Sequence, residues 1–222
     1  MLRRRLRYDI HAIEDVMLRA DLYEKKINVE SYISSNDCRA CGFHSREEFL
    51  EKLRSGKLKP SHCKMARMRF YSLLWAVKPD EILPEVEVLQ LPSPGPTGLF
   101  PINQPGKDSP ILVSGNSKIT GEVLTAVLST TLSPFWYLVV NTDGHTVDMA
   151  IVYKVLTAER VMQEISRENA DQIAPESTLF LPGYASAIQD DLTEQSGRHV
   201  KVGPVCAAEL PLFFGNENWK VA

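Results

Sequence analysis

Apolar residues recur at helical spacing in three stretches of the N-terminal third. Ile10, Ile13, Met17 and Leu18 share one face of residues 9–24, with charges opposite, which predicts a helix. Residues 45–55 predict a short helix that opens on the capping pattern Ser45-x-x-Glu48 and stops at Gly56. Residues 64–77 predict another, with Met65, Met68, Tyr71 and Trp75 recurring as packing positions.

The pattern fails between Pro79 and Pro110, where eight prolines fall together with Gly95, Gly98 and Gly106. Proline lacks an amide donor and fixes φ, so no continuous helix or central strand fits there. An extended linker lying across the surface of the next domain is expected. Val86, Val88 and Leu91 leave room for one short strand.

Beyond the linker, short apolar runs alternate with helical patterns. Strands are predicted at Ile111–Ser114, Trp136–Asn141, Thr178–Leu181 and His199–Val202. Helices are predicted at Thr120–Ser129, Thr157–Asn169 and Tyr184–Gln195, with a last apolar segment over Ala207–Phe214. Short buried runs alternating with helices read as parallel strands, so the fold class is α/β. The expected organisation is a helical cysteine module over 1–78, the proline-rich linker over 79–109, and a three-layer α/β domain over 110–222.

Composition narrows the function. Of the 222 residues, 44% are apolar and 24% charged, ordinary values for a globular protein, and the net charge of −3 offers nothing to nucleic acid. The one basic cluster, Arg3, Arg4, Arg5 and Arg7, reads as a solvated helix start. No apolar segment follows it as in a secretory signal, and no run is long enough to span a membrane, so a cytoplasmic location is expected. No Ser–His–Asp order, phosphate-binding loop motif or paired-carboxylate motif rises above background.

The cysteines do carry a pattern. Cys38 and Cys41 are two residues apart and Cys63 follows after 21 more, while Cys206 is distant. In a reducing compartment such a cluster points to metal more than to disulfides. A four-iron cluster takes four thiolates and only three are local; His44 or His62 are candidate fourth ligands and suit zinc as well. An iron–sulfur centre, zinc, and a metal-free core of reduced cysteines all remain open. Cys206 reads as a small buried apolar residue.

In open α/β sheets, ligands bind outside the carboxyl ends of the strands. Three loop groups stand there. Ser114-Gly115-Asn116, opening into a helix near Thr120, suits a phosphate or amide group. Gly144 and Thr146 mark the second loop, and Gly183 with Gly203 and Pro204 the third.

The stretch Asp37-Cys38-Arg39-Ala40-Cys41-Gly42-Phe43, then Phe49, Leu53, Gly56 and Cys63, resembles the iron–sulfur module of the corrinoid iron–sulfur proteins of the carbon monoxide dehydrogenase/acetyl-CoA synthase system. The runs Pro110–Asn116, Trp136–Gly144, Leu156–Glu159 and Leu181–Tyr184, then Val202–Pro204 and Leu210–Pro211, follow the order found in the corrinoid domain of that family's large (gamma) subunit. The resemblance implies cobalamin at the strand-end loops, an iron–sulfur cluster on Cys38, Cys41 and Cys63, and methyl transfer on cobalt. It implies a methyltransferase or a carbon monoxide dehydrogenase/acetyl-CoA synthase component as partner. Three departures stand out. The family's third cluster cysteine falls on Arg46, and its central barrel has no counterpart, the linker standing in its place. The family also carries small residues on the helix after the second loop, where this chain has Val152 and Tyr153, bulky side chains that would either block a flat macrocycle or face inward. The expected function is a corrinoid-dependent methyl carrier whose cysteine module reactivates cobalt. The alternatives are a metal-binding or electron-transfer accessory protein without corrinoid, and a degenerate interaction protein.

Overall fold

The computed structural model describes residues 27–78, 83–84 and 91–220. The expected helix over 9–24, the arginine cluster and the Val86–Val88 strand lie outside the described residues.

The N-terminal module is built from short helices. α1 spans Ser35–Ala40 behind a reciprocal capping box, in which Ser34 Oγ accepts from Asp37 N and the Asp37 carboxylate accepts from Ser34 N. α2 spans Arg46–Arg54. The expected Ser45 cap is present, its hydroxyl accepting from Glu48 N at 3.1 Å. At the other end Gly56, in the left-handed region at φ +68°, turns the chain so that Lys57 N and Leu58 N both bond Lys52 O. α3 spans Arg67–Val77, and its buried face is Phe70, Leu73, Ala76 and Val77. The expected stripe through Tyr71 and Trp75 is therefore rotated: those two rings are only partly buried and pack on each other at 6.1 Å. Aromatic size suggested the wrong face; the aliphatic positions define the right one.

Among the described residues, five strands form one mixed sheet in the order β1-β3-β2-β4-β5. β2 (Ile111–Gly115), β3 (Phe135–Val140), β4 (Leu179–Leu181) and β5 (Val200–Val202) run parallel, as the apolar runs predict. β1 (Gly98–Ile102) pairs antiparallel with β3 and was hidden inside the proline-rich linker. Its Pro101 sits opposite Trp136 on an edge strand, where a missing amide donor is tolerated.

Helices cover both faces. α4 (Lys118–Leu128) follows β2. α5 (Val147–Val152), α6 (Ala158–Arg167) and α7 (Ala170–Ile173) follow β3. A 3-10 helix over Gly183–Ile188 and then α8 (Gln189–Ser196) follow β4, and α9 (Leu210–Asn218) comes last, kinked at Gly215. One core lies between the sheet and α5–α8, around Val113, Leu138, Val161 and Leu192. The other runs without a break from the sheet face (Leu112, Phe135, Tyr137, Val139) through α4 and α9 to Phe49, Leu53 and Leu73 of the module. α3 packs on α9 at that join. Across it the Tyr32 hydroxyl faces the buried Glu209 carboxylate.

Candidate functional site at the strand ends

Adjacent strands β2 and β4 send their following helices to opposite faces of the sheet, which opens a crevice at their carboxyl ends. The expected loops gather along this end of the sheet, and side chains and main chain of the protein itself fill much of the space between them.

Asn116 is the hub. Its Oδ1 accepts from Thr142 N at 2.8 Å and from Gly144 N at 3.1 Å, and its own amide donates to Thr142 Oγ1 at 3.2 Å. Its Nδ2 donates to Gly95 O. The β3 loop turns through Asp143 and Gly144, both at positive φ (+55° and +77°), which an Asp-Gly pair supplies at least cost. Arg160 braces it by donating to Asn141 O and to the Asp143 carboxylate. A strap from the proline-rich segment lies across these loops: Ser93 N bonds Gly144 O, Lys118 N bonds Ser93 O, and Gly95 N bonds Asn116 O.

The glycines are consequently close-packed. A Cβ on Gly115 would stand 2.6 Å from Thr142 Oγ1, on Gly144 2.4 Å from Pro94 N, and on Gly183 2.7 Å from Val205. Gly183 N also bonds Pro204 O, and Gly203 N bonds Leu181 O, so the β4 and β5 loops hold each other. Ser114 is buried beneath the rim, Thr120 is partly buried on α4, and Thr146 opens α5 with its hydroxyl on Asp148. The site residues expected from the sequence thus share one end of the sheet. Their polar groups bond mainly one another. Thr142, not expected, is central to this arrangement.

The bulky Val152 and Tyr153, expected either to block a flat macrocycle or to face inward, do not face inward. Val152 and Tyr153, at the end of α5, are 69% and 57% exposed. Met149, Tyr184 and Val205 are exposed beside them, α5 packing on the 183–188 helix and Val205 covering Gly183. The His145 ring lies 4.9 Å from that of Tyr153. The signal was present in the bulky residues of α5, which the chain turns outward.

The cysteine module differs from the metal site expected on Cys38, Cys41 and Cys63. Cys41 and Cys63 are joined as a disulfide with Cα atoms 4.1 Å apart, and Cys38 is a separate buried thiol. Burial pushes the Cys38 thiol up, and the neighbouring Asp37 carboxylate adds to this while Arg46 opposes it. Burial also acts to raise Asp37 itself, but hydrogen bonds from Arg69 and Ser34 outweigh it and hold that carboxyl below its ordinary range. Arg69 further ties α3 to Tyr32 O. Among the described residues, no three His, Cys, Asp or Glu side chains gather to hold a metal ion. His44 and His62 are exposed. Cys206 is buried, as expected. No helix among the described residues is long and apolar enough to cross a membrane.

The profile of the family described as CO dehydrogenase/acetyl-CoA synthase delta subunit matches residues 71–214. The acetyl-CoA decarbonylase/synthase complex subunit gamma of Methanosarcina acetivorans is 29% identical over 156 residues, covering 66% of this chain and 33% of that protein. The gamma subunit of Methanopyrus kandleri is 30% identical over 120 residues, covering 54% of this chain and 26% of that one. The gamma subunit of Methanocaldococcus jannaschii is 22% identical over 213 residues, covering 93% of this chain and 43% of that one. The chain therefore spans about a third of the length of the first relative and less than half that of the others.

Proposed function

Because this chain belongs to the CO dehydrogenase/acetyl-CoA synthase delta subunit family, we propose that it is a corrinoid-type methyl-transfer module working within an assembly of the acetyl-CoA decarbonylase/synthase kind. The observation that carries this reading is the exposed apolar rim of Met149, Val152, Tyr153, Tyr184 and Val205 at the carboxyl ends of the strands, beside the switch-point crevice. A soluble fold ordinarily buries such side chains or covers them with a ligand or partner.

The rim fits a flat apolar ring lying over it. Val152 and Tyr184 would seat the ring, and the β3 loop, held by Asn116 and Arg160, would border it. A bound corrinoid supplies a cobalt that takes up and releases a methyl group. The chain's own part is to exclude water from one side of the ring and to keep the loop geometry fixed while a partner approaches the other.

The module does not fit a four-thiolate iron–sulfur cluster. Cys41 and Cys63 are bonded to each other, Cys38 is buried as a thiol, and Arg46 begins α2 where the family carries its third cysteine. No electron-transfer step is assigned to it, and reactivation of oxidised cobalt falls to a partner.

The close-packed glycines favour a second reading, in which the rim docks directly on a partner subunit and no corrinoid is retained. Reconstitution with hydroxocobalamin without oxygen separates the two. Corrinoid absorption and stoichiometric cobalt retained through gel filtration, and lost in Val152→Asp, support the methyl-transfer reading. A colourless wild-type protein overturns it and leaves the docking reading.

A further inference from the structure

The turn between α2 and α3 is a block of one charge sign. From Lys52 to Lys78 the chain has eight Lys or Arg and no Asp or Glu. The chain beyond it has the opposite bias: residues 79–222 hold eight Lys or Arg against eighteen Asp or Glu.

Blocks of like charge ordinarily repel one another and stay unstructured. This one is held in place. Lys57 N and Leu58 N bond Lys52 O, Lys64 N bonds Ala40 O at 2.8 Å, and the Cys41–Cys63 disulfide closes the loop. The far end of α3 returns to the same turn, where the Lys78 ammonium comes within 3.6 Å of the place a Cβ on Gly56 would take. Arg54, Lys57, Lys59, Lys64 and Arg67 are all exposed. Arg67 lies over the Tyr71 ring at 5.6 Å, but among the described residues none of these five forms an ion pair. Arg69, in the same segment, is the contrast: it is partly buried and bonded to the Asp37 carboxylate. The fold pairs the cation it uses and leaves the outer five bare. Their mutual repulsion costs stability and returns nothing to the module. A surface that serves solubility alone mixes both signs.

We propose that the face formed by Arg54, Lys57, Lys59, Lys64 and Arg67 docks an acidic segment of a protein partner. Charge complementarity gives the sign of the partner, and the surroundings give its kind. Through α3 the module packs on α9 of the strongly acidic domain. A long nucleic acid or an anionic lipid surface would extend past the patch and bring like charges within a Debye length of that domain, about 8–10 Å at ordinary salt. A compact acidic segment confined to the loop meets only the cations. Exposed charges of this kind steer encounter and select the partner more than they add affinity, so the contact is salt-sensitive. The inference is independent of the corrinoid reading, which concerns the rim at the strand ends.

The test uses the full chain and a fluorescently labelled oligoglutamate peptide, followed by anisotropy. The expected result is saturable binding at low ionic strength that weakens as salt is added. Lys57→Glu, Lys59→Glu and Lys64→Glu combined abolish it, and arginine at the same three positions keeps it. Lys201→Glu, which reverses an exposed cation on β5, leaves it unchanged. Circular dichroism checks that the charge-reversed variant folds, and glutamine at the three positions replaces it if it does not. Absence of binding by the wild-type chain, or equal binding by the charge-reversed variant, overturns the assignment. Tighter binding to duplex DNA or to phosphatidylserine vesicles overturns it in favour of a nucleic acid or a lipid surface. Self-association of the wild type in sedimentation, abolished by the reversal, overturns it in favour of a second copy of the chain.

Discussion

Asn116 and Thr142 bond each other in both directions: the Asn116 side chain accepts from the Thr142 amide at 2.8 Å, and the Thr142 hydroxyl accepts from the Asn116 amide at 3.2 Å. This pair joins the loops after β2 and β3 at the centre of the rim. Asn116→Leu would leave the amides of Thr142 and Gly144 buried without acceptors. A loss of about 2–4 kcal/mol is expected, from two donors at about 1–2 kcal/mol each. Urea unfolding measures it, and a change below 0.5 kcal/mol would place the loop's support elsewhere.

Gly144→Ala meets two obstacles at once. The residue sits at φ +77°, and its new Cβ would collide with the strap at Pro94. The strap should lift from the rim. Proteolysis between residues 91 and 97 should speed up in the variant while β2 and β3 keep their protection in hydrogen exchange. Unchanged cleavage would show that the collision is relieved without releasing the strap.

Gly121→Ala should act in the opposite direction. With nothing near the added carbon, the variant keeps its packing and gains about 0.5–1 kcal/mol from helix propensity. Thermal unfolding reads this as a raised Tm. A lowered Tm would mean that the glycine serves the packing of the fold.

Glu209 sets a pH dependence. Burial raises its carboxyl above the ordinary range, although the Tyr32 hydroxyl opposes this. The folded state therefore holds a proton that the unfolded state has released. Between the ordinary carboxylate value of 4.5 and the raised one, stability falls as pH rises. Glu209→Gln should reduce this decline, to which the buried Glu164, also raised by burial, contributes the rest, as read from urea midpoints between about pH 4 and pH 8. Tyr32, pushed up to about 12 by burial and by Glu209, should add a second decline from pH 10 upward that Tyr32→Phe reduces, the rest coming from Tyr137, which burial raises likewise. Parallel profiles for wild type and variants would remove these groups from the account.

The thiol arrangement predicts that the chain, prepared without oxygen and given iron and sulfide, does not assemble a four-iron cluster. Arg46→Cys supplies a fourth thiol at the start of α2, and iron uptake should appear in that variant under reducing conditions. Four irons per chain in the wild type would refute the reading of the module.

Much of this architecture was legible in the residues. The four parallel strands were visible as apolar runs, because strands buried on both faces have no need to alternate. Ser45 and Gly56 marked the limits of α2 through cap chemistry that is local in sequence. β1 was not legible, because Gly98 and Pro101 read as breakers and only the edge position makes them acceptable. The buried stripe of α3 depended on which way α9 packs against it, a tertiary fact. Of the candidate site, the rim loops were found from their glycines. Thr142 was not, since its importance rests on a bond spanning 26 residues.

The strap over the rim is held through its main chain. The bonds it makes at Ser93 and Gly95 run from or to backbone atoms of those residues, whatever their side chains. Substitutions at position 93 should thus be silent unless they remove the amide hydrogen, and proline there is the replacement to watch. Such a segment conserves a shape while its spelling drifts, so distant relatives could share the clasp without any recognisable sequence over it.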